Sequence, residues 1–150
     1  MPKYEVESRA SSKAPREKVW EILEDVPRWA EWGPWNSTEF EREGTPPPGG
    51  VGAVRLLKRF GTTLREELTE FDPPGRMAYQ LLSGLPLREY RAEVTVSEAG
   101  DGSELRWRSE FDALPVVGGL YRWQLQKAFE DITETVARWA GGRLAAGCEA

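Results

Sequence analysis

"YRAEVTVSEAGDGSELRWRSEFDA", residues 90–113, decides the architecture. Tyr90, Ala92, Val94 and Val96 fall on one side of an extended chain, and Arg91, Glu93 and Thr95 on the other. After the turn sequence AGDGS (99–103), Leu105, Trp107, Ser109, Phe111 and Ala113 oppose Arg106, Arg108 and Glu110. Side chains alternate across a strand, so this period of two predicts an antiparallel hairpin in a sheet with one covered and one wet face.

Upstream, the same reading extends the sheet. "RMAYQLLS" (76–83) is a strand between the turns DPPG (72–75) and GLP (84–86). "VGAVRLLKRF" and "TTLREELTEF" form a hairpin that turns at Gly61. "NSTEFERE" (36–43) is a strand, followed by a loop fixed by Pro46, Pro47 and Pro48. "YEVESRAS" (4–11) alternates Tyr4, Val6 and Ser8 against charged neighbours. Between these strands lies a helix with Val19, Trp20, Ile22 and Leu23 on one face. Ser12 is the expected cap, Pro15 suits the first turn, Glu17 adds favourable charge there, and Asp25 and Pro27 end the helix. A second short helix over 27–32 leads into WAEWGPW (29–35), which gathers three of the chain's tryptophans around Gly33 and Pro34.

Downstream the period changes. LPVVGG (114–119) reads as a connector, in which Gly118 and Gly119 supply either loop mobility for a gate or a plain link. From Leu120 to about Ala146, Tyr121, Leu125, Ala128, Ile132, Val136 and Trp139 recur at helical spacing, a single apolar stripe. The order is strand, two short helices, about six antiparallel strands and one long helix: an α+β fold with a curved antiparallel sheet of six or seven strands wrapped on its C-terminal helix. One helix about 10 Å wide cannot fill the concave side of such a sheet, so a mostly apolar pocket is expected beside it.

Bulk properties narrow the chemistry. A chain of 150 residues, 39% hydrophobic and 30% charged, suits one globular domain over 1–150. Its net charge of −5, with signs interspersed, argues against a nucleic-acid partner. No apolar run is long enough for an integral membrane segment. "MPKYEVESRA" lacks the apolar run of a secretory signal, and the single Cys148 allows no internal disulfide; a cytoplasmic location is expected. Histidine is absent, which removes His-based nucleophilic triads and His-ligated metal, and one cysteine removes thiolate clusters. No metal and no cofactor is therefore expected. Monomer and homodimer both remain open.

"SSKAPREKVWEILEDVPRWAEWGPW", "LREELTEFDPPGRMAYQL", "GLPLREYRAEVTV" and "GGLYRWQLQKAFEDITETVARW" together resemble the START/Bet v 1-like (SRPBCC) superfamily, specifically its polyketide cyclase/dehydrase and lipid-transport group. The resemblance covers nearly the whole chain and implies a helix-grip fold, β-α-α-β6-α. It implies a hydrophobic small-molecule ligand, lipid- or polyketide-like, held between sheet and helix. It also implies that a minority of members catalyse cyclisation or dehydration there without a cofactor. Usually one tryptophan precedes the proline in this pattern, so the three-tryptophan cluster is richer than it requires.

On this frame the candidate ligand-binding residues are Trp35 at the rim, Tyr79, Tyr90, Trp107 and Ser109 on the sheet, and Tyr121, Leu125 and Phe129 on the helix. Trp123, Lys127 and Glu134 belong to solvent or the rim. Trp29, Trp32 and Trp35 either plug one end of the core or line the cavity mouth. Candidate catalytic groups are Glu66, Tyr90 and Arg55. If Leu64 and Leu68 point inward, so does Glu66, and an inward carboxylate needs a partner such as Arg55. A shift of register by one residue puts both in water instead. Three functions stay open: a carrier of an apolar small molecule, a cyclase or dehydratase using Tyr, Glu and Arg, and a protein-interaction module whose groove receives a partner segment.

Overall fold

The computed structural model describes the backbone of residues 1–149 and the side chains of residues 1–142; the expectation for Cys148 lies outside the described side chains. Seven strands, β1 (Lys3–Ser12), β2 (Ser37–Arg42), β3 (Val54–Arg59), β4 (Thr62–Asp72), β5 (Arg76–Ser83), β6 (Arg88–Ala99) and β7 (Gly102–Asp112), form one antiparallel sheet in the order β1-β7-β6-β5-β4-β3-β2. Helix α1 (Arg16–Glu24) and a 3-10 turn (Val26–Glu31) join β1 to β2, and α2 (Pro115–Glu149) closes the chain.

The alternation that marks β6 and β7 is realised in full: Tyr90, Ala92, Val94 and Val96 are buried, as are Leu105, Trp107, Ser109, Phe111 and Ala113. Their outward neighbours build ion pairs across the wet face, for example Arg106 with Glu7 at 2.9 Å and Arg108 with Glu5 at 2.6 Å. Bulges in the β4–β5 pairing, between Arg65 and Glu66 and between Leu68 and Glu70, bend the sheet. The hairpin joining β3 and β4 turns through Phe60 (φ 46) and Gly61 (φ 83), a primed two-residue turn matching the strand twist.

Helix α1 buries Val19, Trp20, Ile22 and Leu23 as its pattern requires. Its start differs from expectation. Pro15 is the residue before the helix, its carbonyl accepting from Lys18 N–H at 3.0 Å. Ser12 caps nothing: at the end of β1 its hydroxyl donates to the Ala137 carbonyl at 2.8 Å and accepts from Ala14 N–H.

That bond belongs to a seam. Ser8 Oγ meets Thr133 Oγ1 at 2.9 Å, and Gln126 Nε2 donates to the Glu7 carbonyl at 2.8 Å. The serines are short, so α2 lies close along β1, the strand it contacts most. Ile132, Val136, Ala137 and Ala140 are buried against the sheet.

Helix α2 begins at Pro115, six residues before the first of its apolar stripe, and absorbs all of LPVVGG but Leu114. The gate and connector readings of Gly118 and Gly119 are thereby overturned. Proline is favoured in a first helical turn, and Gly118 N–H donates to the Leu114 carbonyl at 2.6 Å. Gly118 is a packing glycine, because a Cβ there would stand 2.1 Å from the Tyr4 ring. That ring stacks on Phe111 at 5.6 Å and donates its hydroxyl hydrogen to the Pro115 carbonyl.

The two glycines therefore predict opposite outcomes. Gly118→Ala must displace the Tyr4 ring and is expected to destabilise by about 1–2 kcal/mol despite its better helix propensity. A Cβ at Gly119 meets nothing within 4 Å, so Gly119→Ala is expected to stabilise by about 0.5–1 kcal/mol. Chemical denaturation of both variants checks the sign of each.

Candidate functional site

Because α2 leans on the β1 edge, the concave side over β3, β4, β5 and β6 is left partly uncovered. A cavity of about 360 Å³ occupies this space. Its floor is Glu66, Tyr79, Tyr90 and Trp107 from the sheet, and its roof is Leu125, Ala128, Phe129 and Ile132 from α2. Leu57, Leu64 and Leu81 form the side wall. Pro34, Trp35, Arg59, Phe60, Leu85 and Tyr121 ring the open end.

The floor is built on one buried ion pair. Arg55 and Glu66 are paired partners in the β3–β4 register, and both point inward. Arg55 Nη2 donates to Glu66 Oε1 at 2.6 Å, with side-chain exposures of 1% and 7%. The Arg55 guanidinium lies between two aromatic faces, 4.7 Å from the Trp29 ring centre and 4.5 Å from that of Tyr79. Cation–π contact offsets part of the lost hydration of a buried cation, although Arg55 Nε has no hydrogen-bond partner.

Glu66 itself faces the cavity. Burial raises its carboxyl above the ordinary value of 4.5, and the pull of Arg55 only partly opposes this. Burial likewise raises the Tyr79 and Tyr90 hydroxyls, with the Glu66 charge adding to the effect on each. The Tyr79 hydroxyl accepts from Trp107 Nε1 at 3.0 Å. As acceptor in that bond Tyr79 keeps its own hydroxyl proton, so Glu66, Tyr79 and Tyr90 are the polar groups the floor offers.

The WAEWGPW cluster serves both ends of its two readings. Trp29, 1% exposed, donates its N–H to the Ile22 carbonyl at 3.2 Å and plugs the space beneath α1. It also stacks on Trp35 at 5.3 Å and meets Trp107 at 6.3 Å. Trp35 is half-buried and stands at the cavity edge. Trp32 packs across both, at 5.9 Å from each.

Tyr79, Tyr90, Trp107, Tyr121, Leu125 and Phe129 thus meet at the cavity with Trp35 and Glu66. Two candidates stand elsewhere. Arg55 lies behind Glu66, screened by Trp29 and Tyr79. Ser109 is buried on the inner face but behind the wall; its Oγ lies near the Tyr90 hydroxyl yet closes no well-formed hydrogen bond. Trp123 and Lys127 are exposed, with the ammonium 4.4 Å above the indole. The sequence reading missed Phe60 and Arg59 at the mouth, for which the only local signal was a bulky residue at a turn position.

A curved antiparallel sheet gripping a long C-terminal helix around an apolar hollow is the helix-grip architecture of START/Bet v 1-like proteins. The chain belongs to the polyketide cyclase/dehydrase and lipid transport family, whose model matches residues 3–147. Among solved structures it is similar to the ZhuI aromatase/cyclase from Streptomyces sp. R1128, at 20% identity and TM-score 0.72, over 95% of this chain and 96% of that one. It is similar to norcoclaurine synthase from Thalictrum flavum, solved with dopamine and hydroxybenzaldehyde, at 13% identity and TM-score 0.72, over 92% and 86%. It is also similar to protein XoxI from Bacillus cereus, at 17% identity and TM-score 0.74, over 89% and 93%. At these identities the likeness is one of fold. No curated protein matches the sequence.

The ion pair makes a sharp energetic prediction. Glu66→Leu leaves the Arg55 cation buried without its partner and is expected to cost about 3–5 kcal/mol, whereas Arg55→Met with Glu66→Leu is expected to fall within about 1 kcal/mol of wild type. Glu66 is easier to protonate folded than unfolded, so its burial favours the fold below pH about 4.5 and that advantage is lost as pH rises through the window above. Urea denaturation across that window is expected to show wild type losing stability relative to the double variant.

Proposed function

We propose that this protein binds an aromatic or otherwise apolar small molecule in the cavity between α2 and the sheet, and orients it by hydrogen bonds to Glu66 and Tyr90. The observation that carries this reading is the hollow itself, about 360 Å³ with an apolar roof and the polar groups of Glu66, Tyr79 and Tyr90 on its floor. A cavity of about 150 Å³ already holds benzene, so this one has room for a guest of two or three fused rings. Family membership supports the reading, and so does the pair of aromatic ligands in the norcoclaurine synthase structure. Trp35, Tyr79, Trp107, Tyr121, Leu125 and Phe129 supply the apolar contacts. No metal or organic cofactor is invoked. A partner segment seated in the groove has less support, because the interior is hollow rather than filled by its own side chains.

The experiment is a titration with 2-naphthol followed by tryptophan fluorescence. Quenching with a Kd on the order of 10 μM is expected, near 0.6 kcal/mol per non-hydrogen atom. Ala128→Trp fills the roof and is expected to weaken binding by at least ~10-fold while the far-ultraviolet circular dichroism stays unchanged. Trp35→Phe is expected to reduce the quenching amplitude. An unaltered titration in Ala128→Trp refutes the cavity as the binding site.

One observation favours a second, catalytic reading: a carboxyl with a raised pKa and a phenol face the same space. Glu66 would take a proton from the carbon beside a ligand ketone while the Tyr90 hydroxyl donates a hydrogen bond to the ketone oxygen, and Arg55 would hold Glu66 in place. Deuterium exchange at the α-carbon of 2-tetralone, followed by NMR, tests it. Exchange above the buffer rate is expected, returning to the buffer rate in Glu66→Gln, which keeps an acceptor for Arg55 and still binds 2-naphthol. Equal exchange in Glu66→Gln removes catalysis and leaves binding standing.

A further inference from the structure

The end of the molecule where the cavity opens has a surface unlike the rest. In the antiparallel sheet β3, β5 and β7 finish there and β4 and β6 begin there, beside the first turns of α2. Phe60, Leu82, Leu114, Val116, Leu120 and Trp123 are exposed large apolar side chains, and all stand at this end. Val51 alone among the described residues of that kind stands at the opposite end. Val116, Leu120 and Trp123 follow the spacing i, i+4, i+7, so they form one stripe of α2, turned away from the stripe that roofs the cavity.

Phe60 is the most telling of them. It is 82% exposed and holds φ at +46 in the β3–β4 turn, a position where Asn, Asp or Gly is unstrained and a bulky residue is not. The fold gains nothing from an aromatic ring there, on either count.

Charge adds to this contrast. The chain carries a net −5, and several of its arginines, among them Arg42, Arg65, Arg76, Arg106 and Arg108, are matched to carboxylates on the wet face of the sheet. Among the described residues, Arg59, Arg88, Arg122 and Lys127 carry no ion pair with a carboxylate and flank the apolar residues of the open end, while Lys13 and Arg138, likewise without one, stand toward the other end beside Gly141 and Ala137. Arg59 and Lys127 ride over the Phe60 and Trp123 rings, at 5.6 Å and 4.4 Å. The carboxylates at this end, Glu39, Glu89 and Asp112, each already lie beside a base.

We propose that this end docks on an anionic phospholipid bilayer, with Phe60 and Trp123 entering the headgroup region and the unmatched cations meeting lipid phosphates. The cavity then opens toward the membrane. Protruding aromatic and aliphatic side chains ringed by Lys and Arg are the chemistry of interfacial binding. A second copy of the chain fits worse, since a two-fold interface on this surface would set cations against the same cations. The proposal does not rest on the identity of any ligand.

Co-sedimentation with phosphatidylglycerol vesicles and with phosphatidylcholine vesicles tests it on the full chain, with no ligand added. Binding to phosphatidylglycerol is expected at low salt, at least ~10-fold weaker to phosphatidylcholine, and largely lost in about 0.5 M salt. Phe60→Ser with Trp123→Ser, both at exposed positions, is expected to weaken binding by at least ~10-fold, as is Arg88→Gln with Arg122→Gln. The proposal is overturned if neither vesicle is bound, or if binding ignores both pairs of substitutions. It is also overturned if the chain sediments as a dimer that the Phe60/Trp123 pair of substitutions dissolves while vesicles stay unbound.

Discussion

The placement of α2 is set by a line of short polar contacts on one edge of the sheet. Ser8 with Thr133, Ser12 with the Ala137 carbonyl, and Gln126 with the Glu7 carbonyl tie the helix to β1. Small side chains on both elements allow the close approach, and the hydroxyls satisfy one another where water is excluded. A helix held at that edge cannot also lie over the middle of a seven-stranded curved sheet. The hollow over β3–β6 follows from geometry, and its depth is set by how far α2 is held to one side.

What keeps the hollow from collapsing is the rigidity of its floor. Four aromatic rings, Trp29, Tyr79, Tyr90 and Trp107, contact one another at centroid distances of 6.3–6.5 Å in a chain across the sheet, and the Trp107–Tyr79 hydrogen bond fixes two of them. Arg55 occupies the gap between Trp29 and Tyr79, and Glu66 anchors it. Replacing such a pair by apolar groups is often neutral in stability, so stability alone gives no reason for two charges here. Their effect is local: a carboxylate is presented to an otherwise apolar space by a cation that cannot itself reach it. The indole-rich WAEWGPW segment has its explanation in the same place. Trp29 serves as packing under α1, as one face of the arginine sandwich and as cavity wall, and Trp32 and Trp35 extend that stack to the rim.

The fold was legible from periodicity because period two and period 3.6 are written by burial alone. Residues 90–96 and 103–113 alternate on either side of their turn, and α2 carries its stripe from Tyr121 to Trp139. Several of the failures share a cause, dependence on a distant residue. Gly118 and Gly119 read as punctuation, but Gly118 is set by the Tyr4 ring, more than a hundred positions away, and proline at 115 opened the helix earlier than the stripe did. Ser12 looked like a cap because its partner, the Ala137 carbonyl, is not local. For Arg55 and Glu66, parity tied the two together and tied Glu66 to Leu64 and Leu68, but charge-rich flanks fitted either face. Trp29 and Tyr79, which make the inner position tolerable for a guanidinium, come from two other elements. Ser109 had the right parity, and sheet alternation cannot distinguish facing inward from reaching the cavity.

The two ends of the sheet show how this fold divides labour. At one end, Trp20 packs on Phe71 and Ser103 Oγ donates to the Ala14 carbonyl, so α1 closes the core there. At the other, the chain leaves aromatic rings in water, cations unmatched and a bulky residue in a left-handed turn. Selection for stability would remove such features cheaply, since Phe60, Leu120 and Trp123 support no core contact that a polar residue would break. Local rules are broken mainly where something other than folding sets the residue. The concentration of exposed apolar side chains and a strained aromatic around a single opening is what folding alone does not account for, and it is the ground on which the proposed membrane-facing surface is set at the cavity mouth.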